Sequence, residues 1–87
     1  MMYTLRFDSA SIDYLNSLPN DIKHRIYSKI ISTKGDPHHF FEKLTGLEGY
    51  KLRVSDYRVI AYIDDQEKYI SILLIGHRKN IYKKYNK

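Results

Sequence analysis

The residues best suited to chemistry are basic side chains in the second half of the 87-residue sequence. Lys51 and Arg53 are separated by one residue, Arg58 follows shortly after, and Arg78 stands near the C-terminal end. Like charges in one place repel one another, so such a cluster makes most sense where a phosphate group occupies its centre. Arginine suits this role because its planar guanidinium binds phosphate oxygens through two hydrogen bonds. These four residues therefore indicate a phosphate-binding site.

A strand and a tight turn position the first three of these residues. Residues 50–54 alternate apolar and basic side chains, so Lys51 and Arg53 share one face of a strand while the apolar side chains share the other. Residues 55–56 predict a two-residue hairpin turn that brings Arg58 close to Arg53 on the next strand.

Two further strands are predicted at residues 57–63 and 69–75, with a polar turn between them. An antiparallel meander of three strands can bring His77, Arg78 and Tyr82 onto the same concave surface as the basic residues of the first hairpin.

The first half of the sequence predicts a strand followed by a helical hairpin. Residues 3–8 alternate apolar and polar side chains, as in a short strand with one buried face. Apolar residues then recur at helical spacing in two segments that meet at Pro19. We expect the second helix to end near Lys34 and Gly35, with the glycine as a left-handed cap.

The remaining segments complete the predicted fold. Residues 38–49 form a connection of unclear structure, and residues 81–85 have the apolar spacing of a last short helix. The element order β-α-α-β-β-β predicts an α+β fold in a single domain over residues 1–87. We expect an antiparallel sheet of three to four strands, with the helical hairpin packed on one face and a short C-terminal helix.

Composition and charge narrow the function classes. The chain has no cysteine, which excludes a disulfide framework and a thiolate metal site and suits a reducing cytoplasm. It has no apolar run long enough to span a bilayer. The net charge of +5 lies entirely in residues 49–87, which carry nine basic and four acidic residues. This block indicates a polyanionic partner, either nucleic acid or an acidic protein segment, although a solvated basic tail would give the same pattern.

Three segments resemble the RelE toxins of bacterial and archaeal toxin–antitoxin pairs: Lys43-Leu44-Thr45-Gly46, Gly49 to Ile60, and Gly76 to Tyr82. Their patterns, K-L-x-G, Y-[KR]-[IL]-[KR]-x-x-x-Y-R and G-[HK]-R-…-Y, stand in family order, and the strand order and length agree over essentially the whole chain. The resemblance implies a RelE-like fold, similar to that of microbial ribonucleases. The gyrase-poisoning ParE branch of the superfamily shares this fold and the Y-R pattern.

The resemblance to RelE implies a ribosome-dependent endoribonuclease that enters the A site and cuts messenger RNA. In this reaction the substrate's 2′-hydroxyl attacks the adjacent phosphate and leaves a cyclic phosphate, so we expect no metal and no other cofactor. Motif position makes Lys51, Arg53, Arg58, Arg78 and Tyr82 the candidate catalytic residues. We expect Arg58 and Arg78 to stabilise the charge of the transition state.

One departure from the family leaves the general base open. Several relatives have lysine at the position of Arg53, and arginine stays protonated at ordinary pH, so it cannot be the base. Lys51, His77 or a tyrosine would supply the base instead, and histidine needs the least tuning near neutral pH.

A second departure concerns the C-terminal tail. The spacing from Arg78 to Tyr82 is tighter than in some relatives, so Tyr85 is an alternative to Tyr82. His77 and Tyr85 are therefore further candidates for catalysis or substrate binding. The tail also carries three lysines that we expect to bind RNA, namely Lys79, Lys83 and Lys84.

The resemblance also implies partners. We expect a RelB-type antitoxin, in an assembly of two toxins and two antitoxins, together with the A site of the 30S ribosomal subunit and messenger RNA. We expect a cytoplasmic protein with no membrane partner. Two other function classes remain open: a ParE-like inhibitor of DNA gyrase without nuclease activity, and a basic nucleic-acid-binding module without catalysis.

Structural roles are the alternative for several of these residues. Lys51 and Arg53 could form the solvated face of an edge strand, and Arg58 could pair with Asp56 or Asp64. Five tyrosines are expected in the core rather than in base stacking, namely Tyr3, Tyr14, Tyr27, Tyr57 and Tyr62. His38 and His39, with Asp36 and Glu42, have no further ligand cluster to support a metal site.

Overall fold

The computed structural model describes the backbone of residues 2–85 and the side chains of residues 2–83. Four helices and five strands follow one another in the described part of the chain. The strands are β1 (Thr4–Phe7), β2 (Glu42–Lys43), β3 (Tyr50–Val54), β4 (Tyr57–Asp64) and β5 (Tyr69–His77). The helices are α1 (Ser9–Asn16), α2 (Asn20–Ser32), α3 (Pro37–Phe40) and α4 (Ile81–Tyr85).

The strands form one mixed sheet in the order β1-β5-β4-β3-β2. The predicted α+β fold is confirmed, including the antiparallel meander of β3, β4 and β5 and the two-residue turn between β3 and β4. The sheet has five strands because the connection left without a predicted structure contains β2, which pairs with β3. β1 joins the other edge and runs parallel to β5.

The two faces of the sheet are covered differently. The face under α1 and α2 carries the main core, in which Leu52, Val59 and Ile72 of the sheet pack with Ile26 and Ile30 of α2. We call the opposite face the outer face. It carries a smaller cluster in which Leu44 and Ile60 are buried beneath Ile81 of α4. A single short helix cannot cover a whole sheet face, so part of the outer face stays open to solvent.

α4 is held to the outer face by one close fit. Ile81 is fully buried, and its Cδ1 would lie 2.8 Å from a Cβ placed on Gly76. A β-carbon at this point would force the Ile81 Cδ1 to move, because β-carbons do not approach other heavy atoms so closely. The short C-terminal helix predicted from the sequence is therefore confirmed. It packs on the sheet at Gly76, where no side chain is in the way.

The end of α2 differs from the prediction. The helix ends at Ser32 and Thr33 caps it, with its hydroxyl and its backbone N–H both donating to the carbonyl of Ile30 at 2.7 and 3.1 Å. Gly35 does not adopt the left-handed conformation that the prediction required; Gly46 and Gly49 do. Thr33 is buried, and its hydroxyl replaces the glycine cap.

Two tyrosines assigned to the core are instead exposed. Tyr3 is buried and Tyr14 and Tyr57 are partly buried against the main core, as expected. Tyr27 of α2 and Tyr62 of β4 are 47% and 44% exposed. None of the helices in the described residues has the length and apolar character needed to cross a membrane.

Candidate active site on the outer face

Two arginines face each other on the outer face of the hairpin formed by β3 and β4. Arg53 and Arg58 are direct cross-strand partners, and Lys51 is opposite Ile60 two pairs further along. Their neighbours Leu52 and Val59 point into the main core, which places the three basic side chains on the other side. Like charges directly opposite each other destabilise a sheet. The structure thus brings together three of the five predicted catalytic residues at a cost in stability.

The guanidinium of Arg58 is held against the turn. Its Nη1 donates to the carbonyl oxygens of Ser55 and Tyr57, each at 2.9 Å. Ser55 has φ of 56°, a left-handed conformation that is unfavourable for a residue with a side chain. Among the described residues no carboxylate forms an ion pair with Arg58, so its charge is not neutralised. The alternative in which Arg58 pairs with Asp56 or Asp64 is therefore wrong.

Arg78 reaches the same turn from the end of β5. Its backbone N–H donates to the carbonyl of Asp56 at 2.8 Å, and its Nε lies 3.4 Å from Asp56 Oδ1. The side chains of Arg78 and Asp56 are 53% and 69% exposed. An exposed ion pair of this kind contributes only about 0–1 kcal/mol, so it does not lock the guanidinium. Arg78 therefore lies beside the Arg53–Arg58 pair and can exchange Asp56 for another anion.

A further arginine that the sequence analysis missed comes from α2. Arg25 Nη1 is 3.5 Å from Ser55 Oγ, so it approaches the turn from the helix-covered side. The sequence offered no signal for this, because Arg25 is 30 residues away from the turn and its spacing fits the solvated side of a helix. With it, four arginines lie at or next to the turn, one of them on the helix-covered side. We call Arg25, Arg53, Arg58 and Arg78 the turn cluster.

His77 does not join the basic residues of the outer face. It is the cross-strand partner of Tyr57 on the helix-covered face, where the two rings meet edge to face at 5.5 Å. Its Nδ1 accepts a hydrogen bond from the backbone of Lys79 at 3.2 Å. The prediction of one concave surface that includes His77 is wrong, because strand alternation turns it away from Arg58. Of the residues predicted as the general base, Lys51 or a tyrosine therefore remains.

The region behind His77 has both apolar and polar side chains. Burial raises the pKa of the nearby Tyr14 hydroxyl, and Tyr57 raises it further, while a hydrogen bond with the backbone of His77 acts in the opposite direction. A cavity of about 190 Å³ opens on this side and is lined by His77 and Tyr57 together with Ile22 and Arg25. It lies across the sheet from the Arg53–Arg58 pair.

Among the predicted residues of the tail, Tyr82 lies closest to the outer-face core. It is partly buried against the cluster of Leu44, Ile60 and Ile81. Lys79 and Lys83 are exposed and free to contact a polyanion from solvent. The side chains of Lys84 and Tyr85 lie outside the described residues, so the structure does not place these two candidates.

An acidic residue also belongs to this surface. Glu42 of β2 is the direct cross-strand partner of Lys51, so the carboxylate and the ammonium share the outer face. The sequence analysis did not identify it as a site residue because β2 was not predicted and Glu42 had no assigned partner. The outer face therefore offers one carboxylate that can accept a proton beside the cationic residues.

A second polar group lies at the far end of β4 and has a structural role. Asp65 accepts hydrogen bonds from the Tyr3 hydroxyl at 2.7 Å and from His38 Nε2, also at 2.7 Å. The hydrogen bond from Tyr3, and then that from His38, hold the pKa of Asp65 below its usual range. The same contact, together with burial, raises the pKa of Tyr3. Within the described residues no group of three metal-ligating side chains occurs, and His38 is engaged by Asp65 instead.

Solved structures similar to this chain come from toxin–antitoxin systems. A chain from the RelBE2 toxin–antitoxin complex of Mycobacterium tuberculosis is 27% identical, with a TM-score of 0.80 over 90% of this chain and 100% of that chain. A chain from the archaeal RelE–RelB complex of Pyrococcus horikoshii is 28% identical, with a TM-score of 0.74 over 90% and 97% of the two chains. A free-state RelE toxin mutant from Escherichia coli is 22% identical, with a TM-score of 0.73 over 95% and 93%, and shares the fold. None of the curated proteins matches the sequence significantly.

Fold and sequence together define a toxin of a type II toxin–antitoxin system. Residues 5–82 match the family model described as the ParE toxin of the type II system parDE. The chain therefore belongs to the ParE toxin family of the RelE/ParE superfamily, with a RelE-like fold.

Proposed function

We propose that this toxin is an endoribonuclease that enters the ribosomal A site and cuts messenger RNA there, which inhibits translation in the cytoplasm. The observation that carries the proposal is the direct pairing of Arg53 with Arg58 on the outer face, next to Arg78. A protein that only inhibits another protein has no evident need for a repulsive arginine pair, whereas a phosphodiester between the two would remove the repulsion.

A cationic surface of this kind can promote RNA cleavage by the 2′-hydroxyl of the substrate. The 2′-oxygen of the RNA forms a bond to the adjacent phosphorus, and the bond from phosphorus to the 5′-oxygen breaks, which leaves a 2′,3′-cyclic phosphate. The proton of the 2′-hydroxyl passes to a base, and the leaving 5′-oxygen takes a proton from an acid. Arg58 and Arg78 stabilise the negative charge on the phosphoryl oxygens in the transition state.

The residues that transfer protons are drawn from the same surface. Lys51 and its cross-strand partner Glu42 lie together on the outer face. The Glu42 carboxylate can take the proton of the 2′-hydroxyl directly, whereas Lys51 can do so only as the neutral amine. Tyr82 emerges from α4 on the same side of the sheet and can donate to the leaving oxygen or stack on a base. The chemistry requires no metal and no cofactor, since the nucleophile belongs to the substrate.

The substrate has to compete with Asp56 for Arg78. Because the pair of Arg78 and Asp56 is exposed and its Nε–Oδ1 distance is 3.4 Å, a phosphate with two oxygens available makes the better partner. Lys79 and Lys83, which are exposed beside this position, add sequence-independent attraction to the RNA backbone.

The test uses ribosomes stalled on a defined messenger RNA with an empty A site. Full-length toxin should produce new RNA ends within the A-site codon, detected by primer extension, and the upstream fragment should end in a cyclic phosphate. A messenger RNA with a 2′-deoxy nucleotide at the cut position is the matched control and should stay intact. Absence of cleavage on ribosomes, or equal cleavage of the 2′-deoxy substrate, would refute the proposed mechanism.

Inhibition of DNA gyrase is the second candidate function. The observation in its favour is the family model itself, which describes the ParE toxin of a parDE system. A supercoiling assay with purified gyrase and the same toxin preparation separates the two. Loss of supercoiling without any ribosomal cleavage would favour the gyrase inhibitor.

We also propose that a RelB-type antitoxin holds the toxin inactive, as two toxins and two antitoxins. The chains with similar structures from M. tuberculosis and P. horikoshii come from complexes of toxin with antitoxin. The net charge of +5 would attract an acidic, partly disordered chain that folds on binding. We expect the segment from residue 78 onwards to be the part that the antitoxin covers or displaces. Co-purification with the acidic product of a neighbouring reading frame tests for the antitoxin. A mass measurement of the purified complex then tests for two toxins and two antitoxins.

A further inference from the structure

Three consecutive carbonyl oxygens at the turn between β3 and β4 accept hydrogen bonds from two arginines. The carbonyls of Ser55 and Tyr57 each accept from Arg58 Nη1 at 2.9 Å. The carbonyl between them, that of Asp56, accepts from the backbone N–H of Arg78 at 2.8 Å. The backbone of one short turn therefore contacts both of the arginines that the proposed function assigns to the transition state.

The contacts of Arg58 leave one edge of its guanidinium free. Nη1 carries two N–H groups, and the two carbonyls can accept both of them. With the other side chains of residues 2–83, Arg58 forms no further hydrogen bond or ion pair, so its Nε and Nη2 are left to bind oxygen atoms from outside. Together, Nε and Nη2 form an edge that can hold two oxygens of one phosphate. The turn thus determines which edge of Arg58 is available to a substrate.

The conformation of Ser55 places these carbonyls. A two-residue hairpin turn of the favoured kind needs a positive φ at its first central residue, and Ser55 adopts φ of 56°. Residues with a side chain enter this left-handed region at a cost in free energy, which is greatest for β-branched residues. A substitution that raises this cost should therefore move the Ser55 carbonyl away from Arg58.

The hydroxyl of Ser55 has little part in this arrangement. Its Oγ lies 3.5 Å from Arg25 Nη1, at the limit of a hydrogen bond, and it forms no hydrogen bond with Arg58 or Arg78. The contact from Ser55 to Arg58 is made by the backbone. Removal of the hydroxyl alone should leave this contact in place.

We propose that Ser55 is a positioning residue, whose left-handed backbone holds Arg58 through Nη1 and so presents the Nε–Nη2 edge to the phosphate at the cut. The proposal rests on the proposed function, because that function makes Arg58 a ligand of the transition state. A guanidinium that is already ordered loses less rotamer freedom when the transition state forms. The backbone conformation at Ser55, rather than the identity of its side chain, should therefore control the rate of cleavage.

A series of substitutions at Ser55 varies the backbone preference while the hydroxyl is absent throughout. Glycine adopts the left-handed conformation readily, alanine less so and valine least. Ser55→Gly should cleave ribosome-bound messenger RNA at the wild-type rate in a single turnover. Ser55→Val should cleave about 10- to 30-fold more slowly, because the free rotamers of Arg58 must then be restricted during the reaction. Ser55→Ala should lie between them, and it supplies the comparison with Ser55→Gly if Ser55→Val does not fold.

Lys68 provides the matched control. Apart from glycines, it is the other residue with a positive φ in the described part of the chain, at 60°, and it lies in the turn between β4 and β5. Lys68→Val should be less stable than Lys68→Gly, as Ser55→Val should be less stable than Ser55→Gly. Both Lys68 variants lack the same charge, so they should cleave at equal rates.

Two measurements separate positioning from a general loss of stability. In toxin that carries Arg58→Ala, addition of Ser55→Val should not lower cleavage further, because no guanidinium remains to be positioned. The NMR signals of the Arg58 guanidinium N–H groups, identified by their loss in Arg58→Ala, report the contact directly. They should be resolved in the wild type and in Ser55→Gly, where hydrogen bonds slow the rotation of the guanidinium, and should broaden in Ser55→Val.

Several results would overturn the inference. Equal cleavage by folded Ser55→Gly, Ser55→Ala and Ser55→Val would do so, as would a further loss of cleavage when Ser55→Val is added to Arg58→Ala. Slow cleavage by Ser55→Gly would show that the hydroxyl is required instead. A wild type that does not cleave refutes the proposed function alone, and the NMR comparison then tests the positioning. Identical Arg58 signals in Ser55→Gly and Ser55→Val would overturn the inference whatever the result on ribosomes.

Discussion

Removal of the Ile81 side chain should release α4 from the sheet and leave the sheet itself folded. Ile81 is fully buried, and a buried isoleucine contributes roughly 1.5–3 kcal/mol. α4 has five residues, too few for a helix to be stable in water without packing. Losing this contribution in Ile81→Ala should therefore shift the ratio of docked to undocked α4 about 10- to 150-fold towards the undocked form.

Hydrogen exchange of the α4 amides and cleavage by trypsin after Lys79 and Lys83 measure this release. Both should accelerate in Ile81→Ala, while the exchange of β4 and β5 stays slow. Gly76→Ala should give the same result from the other partner, because its new Cβ would lie 2.8 Å from Ile81 Cδ1. Ile31→Ala, at a residue of α2 that is 37% exposed, is the matched control and should not change either rate. Unchanged protection of α4 in both Ile81→Ala and Gly76→Ala would refute the reasoning.

Two further predictions concern stability. Because hydrogen bonds from Tyr3 and His38 lower the pKa of Asp65 in the folded state, its contribution to stability is present above the ordinary carboxylate pKa and is lost as the pH falls through the lowered value. The free energy of unfolding of Asp65→Asn should therefore decline less than that of the wild type below about pH 4, and identical acid profiles would contradict this. Arg53→Gln should raise the free energy of unfolding by about 0.2–1 kcal/mol at low salt, since it removes the repulsion from Arg58, and the gain should shrink in high salt. A loss of stability in Arg53→Gln would show that the pair is not repulsive.

Local patterns in the sequence were sufficient to predict the strands that position the site. The alternation of Lys51 and Arg53 with apolar residues fixed the face on which they lie, and the turn at residues 55–56 then had to bring Arg58 opposite Arg53. Both features depend on residues that are close together in the chain, where side-chain periodicity is informative.

Features that depend on distant pairings could not be predicted in this way. The two residues of β2 form a strand only because they pair with β3. The position of Glu42 opposite Lys51 could therefore not be predicted from the sequence. The side of the sheet taken by His77 depends on the register of β4 against β5, which shifts at Ile60 and Ala61. Tyr62 was predicted to lie in the core, but it is exposed on the outer face and does not belong to the cluster that packs with Ile81 of α4.

The central claim is that the arginines at the turn stabilise the transition state of RNA cleavage. The most direct test compares Arg58→Ala and Arg78→Ala with Lys29→Ala, which removes one positive charge from α2 on the other face of the sheet. Cleavage of A-site messenger RNA should fall about 100-fold or more in both arginine variants, with circular dichroism and unfolding midpoint close to the wild type, and should be unchanged in Lys29→Ala. Full cleavage by folded Arg58→Ala and Arg78→Ala would contradict the claim.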